Sequence, residues 1–325
     1  MLFTILEYLQ NIFNNLFSIF FEANPHQSIA QEIDEKTNKV SNKKTTHHVA
    51  SKRNDTERAK FLVEKGFGHR FLLYRAVIKG DTETVSLLIE KGADVDAKTP
   101  KGLTLLYIAA RSKKYNVLEL LIQKGANVNE LCPNESALFV AANNGDEKLA
   151  KMLIENNADI NIKTAINGLT PLFWAAISDH KNVVNLLVEH GADVNVKDNV
   201  LLETALHEMA HQGKLEIAKI LVENGANVHE EDLQGFTALH VAAKSNETEI
   251  AELLIEKGAD INAKSADLFT PLHFSSEMNN VETSLILLQS GASLIDKDEK
   301  SNNAMESSLE INRIEVFKAI VAFQH

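Results

Sequence analysis

The chain has 325 residues and a mass of 36.0 kDa, with 44% hydrophobic and 24% charged residues, enough apolar material to bury a sizeable core. Its 14 Gly and 5 Pro exclude a collagen-like or low-complexity chain, and the single cysteine, Cys132, excludes a disulfide framework and fits a reducing, cytoplasmic compartment. A formal net charge of −12 argues against a nucleic-acid partner, because phosphates are recognised by clustered Lys and Arg.

In chain order, residues 1–23 come first. Leu2, Leu6, Leu9, Phe13, Leu16 and Phe20 fall on one helical stripe, with Glu7, Gln10, Asn11, Asn14 and Ser18 roughly opposite, the pattern of an amphipathic helix. No Lys or Arg precedes Lys36, which argues against a secretory signal. The polar interruptions argue against a membrane-spanning helix. Packing on protein and association with a membrane both stay open, although the basic residues usual on an interfacial helix are missing. Residues 24–54 are polar and aperiodic and predict a flexible linker, with Lys43, Lys44, Lys52 and Arg53 as its basic residues. The segment 55–70, with Asp55 to Gly66 reading as a helix, is expected to be an N-terminal cap. Residues 1–60 hold 8 basic and 7 acidic side chains, so the remainder of the chain carries the negative charge, at −13.

From residue 71 to 302 the chain repeats. The tetrapeptides starting at Phe71, Thr104, Ser136, Thr170, Thr204, Thr237 and Thr270 recur at spacings of 33, 32, 34, 34, 33 and 33, with an eroded copy near Asn303. A period of this size marks a stacked-repeat architecture. Thr170 and Thr270 are placed to cap a helix, with Pro171 and Pro271 at its first position, where no N–H is missed. The small pairs Ala109-Ala110, Ala141-Ala142, Ala175-Ala176 and Ala242-Ala243 let helices approach closely. A turn follows at Gly80, Gly145, Asp179, Gly213, Asn246 or Asn279, from which Lys113 departs. A second helix carries apolar residues at helical spacing, such as Ile217, Ile220 and Leu221. It ends at Gly or, at Asn157, Asn, as a left-handed cap requires.

Threonine, Pro or Ala, Leu, His and two Ala in this order and at this period resemble the ankyrin repeat. The resemblance covers roughly four-fifths of the chain. It implies an all-α solenoid of about seven full repeats with caps, each a helix-turn-helix plus a protruding β-hairpin finger. The polar stretch between "ADVN" and the next Thr, which holds all the length variation, corresponds to the finger. Residues 303–325 are expected to form a C-terminal capping repeat, with Glu310, Asn312, Arg313, Glu315 and Lys318 outside and Ile314, Phe317 and Ile320 facing inward.

One stretch competes with this reading. His207-Glu208-Met209-Ala210-His211 matches H-E-x-x-H, in which two histidines one helical turn apart bind zinc and the Glu acts as general base, with His229, Glu230 or Glu231 available as a third ligand. The repeat register explains His207, which is equivalent to His240 and His273. A zinc hydrolase is therefore the remote alternative, and no enzyme activity or cofactor is expected. Glu208 stays anomalous, because its equivalents are mostly apolar. Cys132 in the shortened finger is expected to be exposed and unactivated. Trp174 is expected in the core.

The resemblance implies a protein-binding scaffold whose finger tips and exposed first-helix side chains line a concave surface. The candidate residues are Leu103, Arg111 and Ser112; Asn143 and Asn144; Leu169, Ile177 and Ser178; Glu203, His211 and Gln212; Phe236, Lys244 and Ser245; and Phe269, Glu277 and Met278. Leu103, Leu169, Phe236 and Phe269 form an apolar row that either anchors a partner or packs on the neighbouring finger. The partner expected from the acidic array is a protein with a basic or apolar surface. Tethering through residues 1–23 to a membrane, or export into a host cell, is the alternative setting.

Overall fold

The computed structural model describes residues 55–64, 69–310 and 313–323. The helix expected at 1–23, the linker at 24–54 and Asn312 lie outside these residues. Contacts divide the chain into two compact units, Met1–Ala97 with Asn116–Lys124, and Lys98–Tyr115 with Gly125–His325.

In the first unit, helix Asp55–Glu64 packs on helix Thr82–Glu90, and a buried contact of 3.1 Å joins the Thr56 and Thr84 hydroxyls. Helix His69–Lys79 lies between them in sequence and buries Leu72, Leu73, Tyr74, Ala76 and Val77. Asp81 caps Thr82–Glu90 by accepting from the Thr84 N–H at 3.0 Å. Residues 116–124 contribute the body of helix Tyr115–Gln123, with Val117, Leu118 and Leu121 buried.

The second unit is an all-helical repeat stack. Its first helices, Leu105–Arg111, Ala137–Asn144, Pro171–Ile177, Ala205–Gln212, Ala238–Ser245, Pro271–Glu277 and Ala304–Glu310, pack each on the next. The second helices, Glu147–Glu155, Lys181–Glu189, Leu215–Glu223, Thr248–Glu256, Val281–Gln289 and Ile314–Phe323, form the other layer. Threonine starts the first helices for a physical reason. The Thr104 and Thr170 hydroxyls accept from the N–H groups of Tyr107 and Phe173, and His207, His240 and His273 complete reciprocal capping boxes with Thr204, Thr237 and Thr270. The alanine pairs are buried between neighbouring first helices. The turns after the first helices from Gly80 to Asn279 use the left-handed conformation, including Lys113 at φ +52°.

Two expectations change. The fingers contain no strands among the described residues; each closes on a single backbone bond between its ends, such as Thr164 N–H to the Leu169 carbonyl or Ser265 N–H to the Phe269 carbonyl, both 2.9 Å. Three or four residues between closing partners, and two in the shortened finger of Cys132 and Glu135, leave no length for a ladder, and among the described residues only Lys98 and Thr104 form an isolated bridge. At the C-terminus Ile314 is exposed, while Val316 and Ile320 face inward. Among the described residues no helix is long and apolar enough to cross a membrane.

Candidate functional site

The candidate surface lies on the second unit, where the ends of successive first helices and the bases of the fingers meet. Its side chains are tied to the next repeat by a recurring device. His180 Nε2 lies 2.9 Å from the Asn143 carbonyl, Asn280 Nδ2 donates to the Ala243 and Lys244 carbonyls, and Arg313 Nε donates to the Glu277 carbonyl at 2.8 Å. Lys214 Nζ reaches the Ile177 carbonyl in the same way. Each such residue follows the turn of one repeat and neutralises carbonyls left open at the helix end of the repeat before it. The sequence reading missed this register, although a polar side chain at a fixed offset after every turn signalled it.

Most of the candidate residues are accessible there and are held in place. Ser178 Oγ donates to Asn143 Oδ1 at 3.2 Å, and Asn144 is exposed beside them. His211 Nδ1 lies 3.2 Å from Ser245 Oγ, and Gln212 bonds Glu208. That bond accounts for Glu208, which is half-buried at the surface of its helix. Ser112 and Met278 occupy helix C-caps. Ile177 is half-buried, as are Lys244 and Glu277. Burial raises the Glu277 carboxyl above its ordinary pKa.

Arg111 belongs to a network. Its Nη1 donates to Tyr107 Oη at 3.2 Å, and that hydroxyl donates to Glu135 Oε2 at 3.1 Å. Burial raises the Tyr107 phenol and the Glu135 carboxyl, against the lowering influence of Arg111. Glu203 occupies the equivalent position, the residue before the capping Thr, two repeats further on. Burial pushes its carboxyl up to about 8, with Glu208, Asp198 and Asp232 adding to the rise and Lys244 opposing it.

The apolar row is corrected. Leu103 and Leu169 are 8% and 1% exposed and so do not belong to the binding surface. Their N–H groups bond the side chains of Thr99 and Thr164 at the finger base, as those of Phe236 and Phe269 bond Asp232 and Ser265. Phe236 and Phe269 are half-buried and share Phe274, with ring centroids 4.8 and 5.2 Å from it. Cys132 is also corrected: it is 1% exposed. It stands at the finger register of Thr99, Thr164, Asp198, Asp232, Ser265 and Asp298, whose side chains organise the turn, and its Sγ accepts from the Thr104 N–H at 3.3 Å. Burial raises its thiol pKa, which makes it a poor nucleophile. Trp174 is buried in the core.

The H-E-x-x-H residues do not converge as ligands. His207 accepts the Thr204 N–H at Nδ1, 3.2 Å, and its Nε2 lies 3.0 Å from the Phe236 carbonyl, so both ring nitrogens are committed. Burial lowers its pKa to about 4. His229 stands in the register of Asn129, Asn161, Asn195 and Asn262, which stitch each repeat to the next through bonds such as Asn161 Oδ1 accepting from Asp193 N–H at 2.8 Å. No group of three metal-ligating side chains forms among the described residues.

A two-layer stack with capped first helices and a polar, inter-repeat-bonded surface defines a repeat protein of the binding-module class. A family model described as ankyrin repeats (three copies) matches residues 11–99, 47–132, 106–198 and 199–265. The chain belongs to the ankyrin-repeat family, whose arrays generally are protein–protein interaction modules and typically are not catalytic. The repeats of the structure continue beyond the match, to Phe323. A comparison with curated proteins finds no match.

Proposed function

We propose that this chain is a non-catalytic scaffold that holds a partner protein against the first-helix and finger surface of its second unit. The observation that carries the reading is the presentation of Asn144, His211, Gln212, Lys244 and Glu277 at the ends of first helices, each exposed or half-buried, with the following repeat bonding the Asn143, Lys244 and Glu277 carbonyls and the His211 side chain. A rigid backbone with variable, accessible side chains is what a recognition surface needs, since little ordering entropy is then lost on binding. The partner surface is basic or apolar, to match an array at −13.

Photo-crosslinking in cells tests this. A photoreactive residue at Asn144 or His211 is expected to give a discrete covalent adduct, and one at Glu155 or Glu223, exposed on second helices, is expected to give none. Equal labelling from both faces, or none from either, overturns the reading.

A further inference from the structure

The finger tips carry a feature that neither packing nor backbone preference explains. Two residues before the helix-starting position, every full-length finger of the second unit turns through the left-handed region: Gly102, Gly168, Leu202, Gly235, Leu268 and Ser301 have φ of +78°, +66°, +56°, +75°, +60° and +71°. At Gly235 a Cβ would meet the Ala266 backbone at 2.9 Å, so glycine is required there, and at Gly168 it would displace the Asn199 side chain. Leu202 and Leu268 take the same conformation at a cost of roughly 1–2 kcal/mol each. They are only partly covered, at 40% and 45% exposed. Strain held at an exposed apolar side chain points to a contact outside the chain.

These leucines do not stand alone. Ile166, Val200 and Leu233, two residues earlier in their fingers, are 66%, 43% and 61% exposed. The tips are laced together: Asn199 N–H bonds the Asn167 carbonyl, Leu233 N–H the Leu201 carbonyl and Ala266 N–H the Gln234 carbonyl, at 2.8–2.9 Å. One exposed leucine is ordinary. Large apolar side chains at the same register in three successive, connected fingers, with Leu268 two positions further on in the fourth, form a stripe, and it starts at Ile166, because the finger of Pro100, Lys101 and Gly102 carries no apolar tip apart from proline.

The surroundings specify what covers it. Glu231 and Asp267 are exposed on these fingers, as is Lys163, whereas Lys197 and Lys264 are engaged by Glu230 and Asp296 at 2.7 and 2.8 Å. Glu203, directly after Leu202, faces Glu208, Asp198 and Asp232, with Lys244 as the opposing charge. At Glu135, the equivalent residue, a cation is already supplied through Tyr107 by Arg111; the corresponding residues nearer Glu203 are Phe173 and Ile177. Spacing specifies the shape. Stacked helices lie about 8–10 Å apart, and a partner helix advances about 10.5 Å in seven residues and returns to nearly the same face. An extended strand would alternate its faces.

We propose that the finger tips from Ile166 to Leu268 dock a basic amphipathic helix of the partner protein, its apolar side chains seven residues apart along the tip stripe and a Lys or Arg against Glu203. This rests on the protein-binding reading and names the partner's chemistry.

The probe is a synthetic 21-residue helix with Leu at positions 4, 11 and 18 and Lys on its flanks. Two control peptides are used, one with the same composition scrambled and one with Glu for Lys. Titration of the full chain by fluorescence anisotropy is expected to show at least about tenfold tighter binding of the periodic basic peptide. The Leu202→Gly/Leu268→Gly variant is expected to lose about tenfold in affinity while its melting temperature rises, an opposition that a purely structural role cannot produce. Affinity is expected to rise from pH 6 to 9 as Glu203 ionises, and Glu203→Gln to flatten that rise. Equal binding of the periodic and scrambled peptides, or unchanged affinity of the double glycine variant, overturns the proposal. Crosslinking separates the two readings. Adducts from His211 with none from Leu233 overturn the tip site alone, and adducts from neither overturn both.

Discussion

The helix interfaces in the middle of the second unit and those at its C-terminal end are built from different materials. At Ala141-Ala142, Ala175-Ala176 and Ala242-Ala243 the first helices meet through methyl groups that are fully buried. One repeat later the same positions are Ser275 and Ser276, facing Thr283 and Ser284, and the next first helix buries Ser307 and Ser308. Size is nearly unchanged, so the helices still approach closely; polarity is not. Each buried hydroxyl must find a partner or lose its hydration without return. Ser284 donates to Ser275 at 2.8 Å, Ser275 to the Leu272 carbonyl, and Thr283 to Asn246 at 3.0 Å. Ser276 Oγ is buried with no hydrogen-bond partner. In a stack where each repeat is stabilised by its neighbours, the C-terminal interface is the weaker joint. Hydrogen exchange should therefore open helices Pro271–Glu277 and Ala304–Glu310 before Pro171–Ile177.

Acidification acts on the histidine-capped joints, and it carries the largest expected effect. His207 and His240 are buried with pKa values lowered to about 4, first by desolvation, while His273 is lowered for the same reason but is less enclosed. Between the ordinary value of 6.5 and about 4 the unfolded chain binds the extra protons. The stability these neutral histidines confer is thus complete above pH 6.5 and lost as pH falls toward 4. The loss is of order 2–3 kcal/mol for each of His207 and His240. Thermal melts from pH 7.5 to 4.5 should fall steeply, and the His207→Gln/His240→Gln variant should show a flatter pH dependence whatever its absolute stability. An unchanged slope would show that carboxylates, not these imidazoles, govern acid unfolding.

A smaller effect tests the two interfaces directly. Ala176 and Ser276 are equivalent and both fully buried. Ser276→Ala should stabilise the protein by about 1–2 kcal/mol and Ala176→Ser should destabilise it by a similar amount, since each change deletes or creates an unpaired hydroxyl. The check is the urea midpoint at constant m. Two changes of the same sign would mean that the polarity of this position does not set the difference between the joints.

The helices and their order were legible in the sequence because capping threonines, alanine pairs and left-handed turns recur at one period and act locally. The burial and partners of individual side chains at the fingers and helix ends were not. Leu103 and Leu169 looked like surface anchors because they precede the helix start; in the folded repeat both are buried. Cys132 looked exposed in a short polar finger, yet it substitutes for the turn-organising Thr or Asp. Glu208 looked like part of a zinc motif until Gln212 and Lys214 supplied its surroundings. These outcomes follow from three-dimensional contacts, some only four or five residues apart in the chain and one, Cys132 with Thr104, 28 apart, that residue type and period do not reveal.

The smallest predicted effect concerns Lys113, where pattern and geometry disagree. It holds φ +52° in the turn that Gly145 and Gly213 make at +62° and +69°, and its exposed side chain is solvated. Lys113→Gly should relieve the left-handed strain, but glycine also loses more freedom on folding, which leaves a net gain of about 0.5–1 kcal/mol. Gly145→Ala should do the opposite and by more, because a Cβ there would meet the His180 ring at 2.5 Å and displace it from the Asn143 carbonyl. Lys113→Gly also serves as the control for the finger tips. It removes the same kind of strain as Leu202→Gly but no apolar surface, so it should raise the melting temperature and leave peptide affinity unchanged. If affinity falls for both, the tip leucines act through backbone rigidity instead of contact.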